Sequence, residues 1–400
     1  MKHLDRKPDR STIVSSLTAK LAVSLFLASV AGCGTDEPGA APASTAASVA
    51  ASIPVSATAV AVGPTTAATT ASRSATTVQP TTSTEVATTE PTPTDLPPTI
   101  DPACADRQDS ISTIGVDVAG QRRTALIHLP AGKPPAKPAA VVLAFHGAGD
   151  NTGRFDEWNG LAELADVEGF VTVHPQGSDV ELFPGVRVNP GWDILRLHVD
   201  EAAFVAAILD ELAAHLCIDT NRVYATGISN GGALALQLAC TLGDRITAVA
   251  AVAAFPIYIC PNPKPTPTLI FHGVDDLFVP YGGDAAEGLP PIEQMAGDIA
   301  IRNGCTAAPP DVTTVAPGID ELIWSGCAAP TELYRISSEG HAWPGGHTPA
   351  YPEAAFADLL RQANAVPAGL TPTQAAANVY LSNPGIDASE VMWKFFTSQG

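Results

Sequence analysis

Residues 221–240 read NRVYATGISNGGALALQLAC, and this stretch decides the fold. Arg222–Gly227 reads as a short strand, and an apolar helix follows from Asn230. Between them lies Gly227-Ile228-Ser229-Asn230-Gly231, a G-x-S-x-G sequence. The five letters recur by chance in many chains; the strand–turn–helix setting is what gives them meaning. A turn this tight holds the serine in a strained conformation with its hydroxyl exposed, and the flanking glycines let the backbones pass. Ser229 is therefore the candidate nucleophile rather than a helix-capping serine. The amide of Asn230, at the start of the helix, points to where an oxyanion would develop.

Working outward, the apolar runs alternate between strand and helix periods. Ile111–Val118 and Arg123–Leu129 read as two opening antiparallel strands. Ala140–Phe145 is wholly apolar and β-branched, as a central strand should be. Further strands are expected over Phe170–His174, Ala248–Ala254, Thr268–His272 and Glu332–Ile336. From Asp200 to Cys217, Phe204, Ile208, Leu212 and Leu216 share one face with Val205 and Leu209 beside them, an amphipathic helix that Asp200 caps. Gln294–Arg302 and Glu390–Phe396 are helices as well. Buried strands alternating with helices define an α/β domain with a mostly parallel sheet.

The remaining chemistry follows from this frame. The third strand ends in Phe145-His146-Gly147-Ala148-Gly149, an HGxG loop in which Ala148 is the expected second oxyanion donor. With the order serine, acid, histidine, only His341 and His347 of the nine histidines follow the serine and the plausible acids. His341 lies in a glycine-flanked loop just after a strand and is the expected base; His347 reads as a surface residue. The acid should follow Phe271-His272-Gly273-Val274-Asp275-Asp276, where two adjacent aspartates compete and the turn gives only a modest preference for Asp276. His272 reads as a core histidine bracing that turn. Aromatic candidates for substrate contact are Trp192, Tyr281 and Trp343, with packing in the core as the alternative role.

The pieces "AFHGAGD", "VDEAAF", "NRVYATGISNGGALALQLAC", "FHGVDDLFVPY", "IRNGC", "GHAWPGG" and "IDASEVMWKFF" together resemble the secreted esterase family of polyhydroxybutyrate depolymerases and feruloyl esterases. That family lies within the α/β-hydrolase superfamily. The resemblance runs from about residue 120 to the C-terminus. It implies an α/β-hydrolase fold, places the acid on Asp276 and the base on His341, and implies hydrolysis of hydroxyalkanoate or hydroxycinnamoyl esters without a metal or organic cofactor. The segment 347–384 is longer than the family requires, and it reads as a lid or a surface insertion.

Upstream, Lys2, Arg6, Lys7, Arg10 and Lys20 precede the apolar stretch Leu21–Gly32, which is too short to span a bilayer and right for a signal peptide. It ends in Val30-Ala31-Gly32-Cys33, similar to a bacterial lipobox in which Cys33 carries the lipid. The expectation is a signal peptide and lipidated cysteine over 1–33, then a tether over 34–103, then the esterase domain over 104–400. Residues 34–100 contain no Phe, Trp or Tyr and cannot bury enough apolar area to order themselves. As a coil this tether would span roughly 45 Å. Of the net charge of −20, residues 101–400 carry −19, from 15 basic and 34 acidic residues. Such a field repels phosphate backbones and argues against nucleic-acid binding.

Apart from Cys33 there are six cysteines, an even count that suggests disulfides in an exported chain. Cys305 and Cys327 flank a Pro-rich excursion between a helix and a strand and are the first expected pair. Cys104, Cys217, Cys240 and Cys260 allow three connectivities, with a buried free thiol as the alternative for Cys240. The sequence thus reads as a lipid-anchored, extracytoplasmic ester hydrolase. Its rivals are a serine peptidase on the same fold and a non-catalytic binding lipoprotein.

Overall fold

The full run Ala139–Phe145, β-branched at its centre and apolar throughout, is buried along its whole length, and the sheet is assembled around it. The computed structural model describes residues 100–399 apart from 108, 184–185, 197, 257–263, 286–287, 348–352, 363–365 and 367–368. The signal peptide, Cys33, the tether up to residue 99 and Cys260 lie outside the described residues.

In chain order the strands and helices are β1 (Thr113–Val118), β2 (Gln121–His128), β3 (Ala139–Phe145), α1 (Thr152–Asn159), α2 (Leu161–Glu168), β4 (Val171–Pro175), β5 (Ser178–Phe183), β6 (Val186–Gly191), α3 (Glu201–His215), β7 (Ile218–Gly227) and α4 (Asn230–Thr241). There follow β8 (Ala248–Val252), β9 (Thr268–Gly273), α5 (Ile292–Arg302), β10 (Asp311–Ala316), β11 (Ile319–Trp324), β12 (Thr331–Ile336), α6 (Glu353–Gln362), α7 (Pro372–Val379) and α8 (Ala388–Thr397). Ten strands form one sheet in the order β1-β2-β4-β3-β7-β8-β9-β12-β11-β10. Its centre, from β4 to β12, is parallel, and antiparallel pairs close both ends. This is the α/β-hydrolase fold.

The two-residue period of β3 divides the core into two layers. Val141, Leu143 and Phe145 face one cluster, filled by Phe204, Ile208 and Leu212 of α3, by Leu234 and Leu238 of α4 and by Met295 of α5. Val142 and Ala144 face the other, filled by Phe155 of α1, Leu161 of α2 and Met392, Phe395 and Phe396 of α8. Asp200 caps α3, its side chain accepting from the Ala203 amide at 3.1 Å.

Sheet register sets the level of the loops. Phe145 pairs with Gly227 across β3 and β7, and Gly273 pairs with Ile336 across β9 and β12. The loops that follow these four residues therefore leave the sheet at the same carboxyl edge, where sites of parallel sheets form.

One expectation is revised. The excursion between Cys305 and Cys327 is a hairpin, β10 turning through Pro317-Gly318 into β11; Gly318 takes the positive φ of 75° that the turn requires. Cys240 is disulfide-bonded, as its place among the candidate cysteines allowed. In the described part of segment 347–384, Ala357, Ala375 and Ala376 lie buried in the first core layer. Cys305 pairs with Cys327 as expected, and Cys104 pairs with Cys217.

Candidate active site

Ser229 sits between β7 and α4 at φ 56° and ψ −121°, a backbone region that costs a non-glycine residue on the order of 1–3 kcal/mol. Neighbouring backbone holds it there. The Ser229 amide donates to Val252 O at 2.9 Å, and the Ile228 amide donates to Phe145 O at 3.2 Å. The turn closes tightly against β3: a Cβ at Gly227 would lie 2.5 Å from Phe145 O, and one at Gly231 would collide with the same carbonyl. Glycine is required at both positions for that reason.

The loop after β3 lies against this turn, since a Cβ on Gly147 would come to 3.7 Å from Ser229 Cβ. Ala148 is half-buried within it. His146 braces the loop from behind, with Nδ1–H donating to Gly147 O at 2.7 Å and Nε2 accepting from the Gly177 amide at 3.0 Å. Burial lowers its pKa to about 4 and so keeps the ring neutral. One neutral tautomer satisfies both bonds. The loop is fixed further where the Gly149 amide donates to Pro190 O at 2.8 Å.

Asp276 and His341 meet at the ends of β9 and β12. His341 Nδ1–H donates to Asp276 Oδ2 at 2.9 Å, which leaves Nε2 as the ring's acceptor. The amides of Phe278 and Val279 both donate to Asp276 Oδ1 at 2.8 Å. Burial pushes the Asp276 carboxyl upward, but the facing His341 together with hydrogen bonds from His272 and His341 outweighs it, so the group stays well below the usual carboxylate range. Of the two competing aspartates, it is Asp276 that meets the histidine. Asp275 is exposed and accepts from the Ser338 amide at 3.1 Å. His272 is a core histidine, as expected, with Nε2–H donating to Val279 O at 2.8 Å.

Comparison with known proteins gives this geometry a context. Residues 124–256 match the family model described as Esterase PHB depolymerase. Over 265 residues the chain is 30% identical to NocK of Nocardia uniformis subsp. tsuyamanensis, a protein named as an esterase, covering 59% of this chain and 75% of that one. The chain belongs to this esterase family. It is 27% identical over 235 residues to feruloyl esterase C of Emericella nidulans, covering 56% of this chain and 76% of that protein. Among solved structures, an acetyl xylan esterase from Aspergillus awamori aligns with a TM-score of 0.43 and 14% identity, covering 57% of this chain and 94% of that one. The protein is an esterase, a carboxylic-ester hydrolase.

Two of the three aromatic residues considered for substrate contact are structural parts of this esterase. Trp192 is fully buried, with Nε1–H donating to His146 O at 2.8 Å, and its backbone exchanges two hydrogen bonds with the Asn230 side chain at 2.8 and 3.1 Å. It ties the HGAG loop to the first residue of α4. Trp343 is likewise buried, with Nε1–H donating to Ser389 Oγ at 3.1 Å. Each indole needs a buried partner for its N–H and finds it in the core. Tyr281 is half-buried, and its hydroxyl donates to Glu293 Oε1 at 2.9 Å. Burial and that carboxylate push its phenol well above the ordinary range.

Sequence reasoning missed Glu339, two residues before His341 and 1% exposed. Burial raises its pKa to about 8, with nearby Asp276 adding to the rise. It also missed Asn378, which touches both loops. The signal available for each was weak, a polar residue in a loop and another at the end of a short alanine-rich helix.

Proposed function

We propose that Ser229, His341 and Asp276 form the catalytic triad of this esterase, with the amides of Ala148 and Asn230 as its oxyanion donors. His341 Nε2 takes the Ser229 hydroxyl proton as Oγ attacks the ester carbonyl. The tetrahedral oxyanion is stabilised by the two amides, and the imidazolium returns the proton to the departing alcohol. Water, deprotonated by the same imidazole, then cleaves the acyl-enzyme, releasing the acid and restoring Ser229. Asp276 fixes the Nδ1–H tautomer and stays ionised throughout.

The observation that carries this reading is the buried His341–Asp276 hydrogen bond at 2.9 Å, at the same sheet edge as the strained Ser229 turn. The substrates proposed are hydroxyalkanoate (polyhydroxybutyrate-type) and hydroxycinnamoyl or other aryl esters, as for the feruloyl esterases among its relatives. We also propose that the enzyme acts outside the cytoplasm, held to a membrane through lipid on Cys33 and the tether that follows. The Cys104–Cys217 and Cys305–Cys327 disulfides suit that oxidising setting.

Ser229→Ala should abolish hydrolysis of p-nitrophenyl acetate and covalent labelling by a fluorophosphonate, with the fold intact by circular dichroism. Retained activity or labelling would move the nucleophile elsewhere. Hydroxybutyrate oligomers, methyl ferulate and a dipeptide amide, assayed side by side, separate the ester classes from a peptidase.

A further inference from the structure

Asn378 lies in the last turn of α7, far along the chain from the aspartate, yet it joins the two loops that bear Asp276 and His341. Its Oδ1 accepts from the Leu277 amide at 2.9 Å, and its Nδ2–H donates to Asp275 O at 2.7 Å. These two bonds grip the residues on either side of Asp276. Its own carbonyl accepts from the His341 amide at 3.0 Å. Next to it, the Gly340 amide donates to Leu381 O at 2.7 Å. The fit is close: a Cβ on Gly340 would lie 2.7 Å from Asn378 Nδ2, so the glycine before the histidine leaves the space that Asn378 fills.

Asn378 is itself held rigidly. Thr371 and Gln374 form a reciprocal capping box at the start of α7, and Ala375 and Ala376 are fully buried. Past the helix, Asn383 Nδ2–H donates to Ser337 O at 2.9 Å, tying the chain down again beside the histidine loop. Asn378 is 4% exposed; its side chain bonds the backbone of the aspartate loop, and its carbonyl bonds that of the histidine loop.

We propose that Asn378 is a positioning residue that sets the His341–Asp276 hydrogen bond by locking the two loops in register. This rests on the triad reading given above. Asp276 and His341 come from separate strand ends, and the 2.9 Å bond between them survives only if both loops keep their relative place. A displacement on the order of 1 Å in such an arrangement can lower the rate about 10²-fold. Asn378 touches no reacting atom, so its loss should lower kcat and leave KM alone.

The test uses the mature chain and four substitutions. Asn378→Ala removes both side-chain bonds. Asn378→Asp is isosteric, keeps the acceptor for the Leu277 amide and sets a second oxygen against Asp275 O. Ser229→Ala and Asp276→Asn serve as references. On p-nitrophenyl acetate, both Asn378 variants should lose kcat ten- to a hundredfold with KM within twofold. The low-field proton resonance of His341 Nδ1–H, assigned by its loss in Asp276→Asn, should broaden or vanish in both. Added to Asp276→Asn, the Asn378 substitution should cost little more, because the bond it serves is already lost.

Parent-like kcat and an intact resonance in both variants, with Ser229→Ala inactive, would overturn the positioning role and leave the triad standing. So would an equal loss in the Asp276→Asn background, or a loss that tracks the folded fraction by near-ultraviolet circular dichroism. Should the alanine variant not fold, the isosteric aspartate variant decides. An active Ser229→Ala would overturn the triad reading and this proposal with it.

Discussion

Glu339→Gln should make the esterase's stability less sensitive to pH, and the size of the effect follows from the residue's surroundings. Glu339 is 1% exposed, its Oε2 accepts from the Asn383 amide, and its Oε1 has no partner among the described residues. Burial raises its pKa from 4.5 to about 8. The folded chain therefore keeps a proton that the unfolded chain loses above pH 4.5, and folding grows less favourable as pH rises from 4.5 to 8. The slope for one such group is about 1.4 kcal/mol per pH unit, or about 3 kcal/mol accumulated by pH 7. Glutamine is neutral in both states and lacks this slope. Its amide N–H, placed where Oε1 now stands, adds a pH-independent cost of about 1–3 kcal/mol if it is left unpaired. The telling quantity is thus the change with pH in the difference between the two proteins. Urea unfolding at pH 5, 6 and 7 should show the variant gaining about 2.5 kcal/mol on the parent across that range. Parallel pH profiles would refute the assignment of a buried, protonated Glu339.

Asp276→Asn should lower kcat about 10³- to 10⁴-fold on p-nitrophenyl acetate, while Asp275→Asn stays within severalfold of the parent. The reverse order would assign the acid to Asp275. Cys33→Ala should release the protein from membrane fractions or stall its processing, and unchanged membrane association would reject the lipid anchor.

Much of the α/β-hydrolase frame was legible because its central strands are apolar at every position and its helices repeat every three to four residues. β3, β7, β9 and β12 fall where the residue pattern puts them, within a residue or a few at their ends. The β10–β11 hairpin was not legible. β10 is an edge strand, Asp311–Ala316, with its side chains largely exposed, so it lacks the apolar signature of the central strands. α1 and α2 were missed for a related reason: both are short, at eight residues each, and only Phe155, Leu161 and Ala165 supply their buried apolar side chains. The candidate site divides the same way. Ser229, the HGAG loop and His341 carry local signals, glycines at fixed offsets around a reactive residue. Choosing Asp276 over Asp275 from the turn alone was a near-even decision, because both follow the same strand and only long-range packing tells which one turns inward. Trp192 and Trp343 show the converse. An aromatic residue near a candidate site fits a substrate wall and a buried brace equally well until the partner of its N–H is known.

What joins these local signals into one site is register, which no single segment encodes. β8 is the bridge between the two halves. Its final residue, Val252, pairs with Phe271 of β9 and bridges to Ile228, and its carbonyl receives the Ser229 amide. The adjoining Ala253 amide donates to Phe271 O at 2.9 Å. A single short strand thus fixes the height of the serine turn against that of the aspartate loop. The histidine loop takes its height from the β9–β12 pairing and from Asn378. A one-residue slip between β8 and β9 would reverse the faces of every side chain on one of the two strands. Both are buried along their full length, so the slip is strongly opposed by the core layers above and below. The core that gives the domain its stability therefore also sets the level of the loops that carry Ser229, Asp276 and His341. The strain at Ser229, on the order of 1–3 kcal/mol, is held because the Val252, Phe145 and Gly231 backbones leave the turn no alternative path.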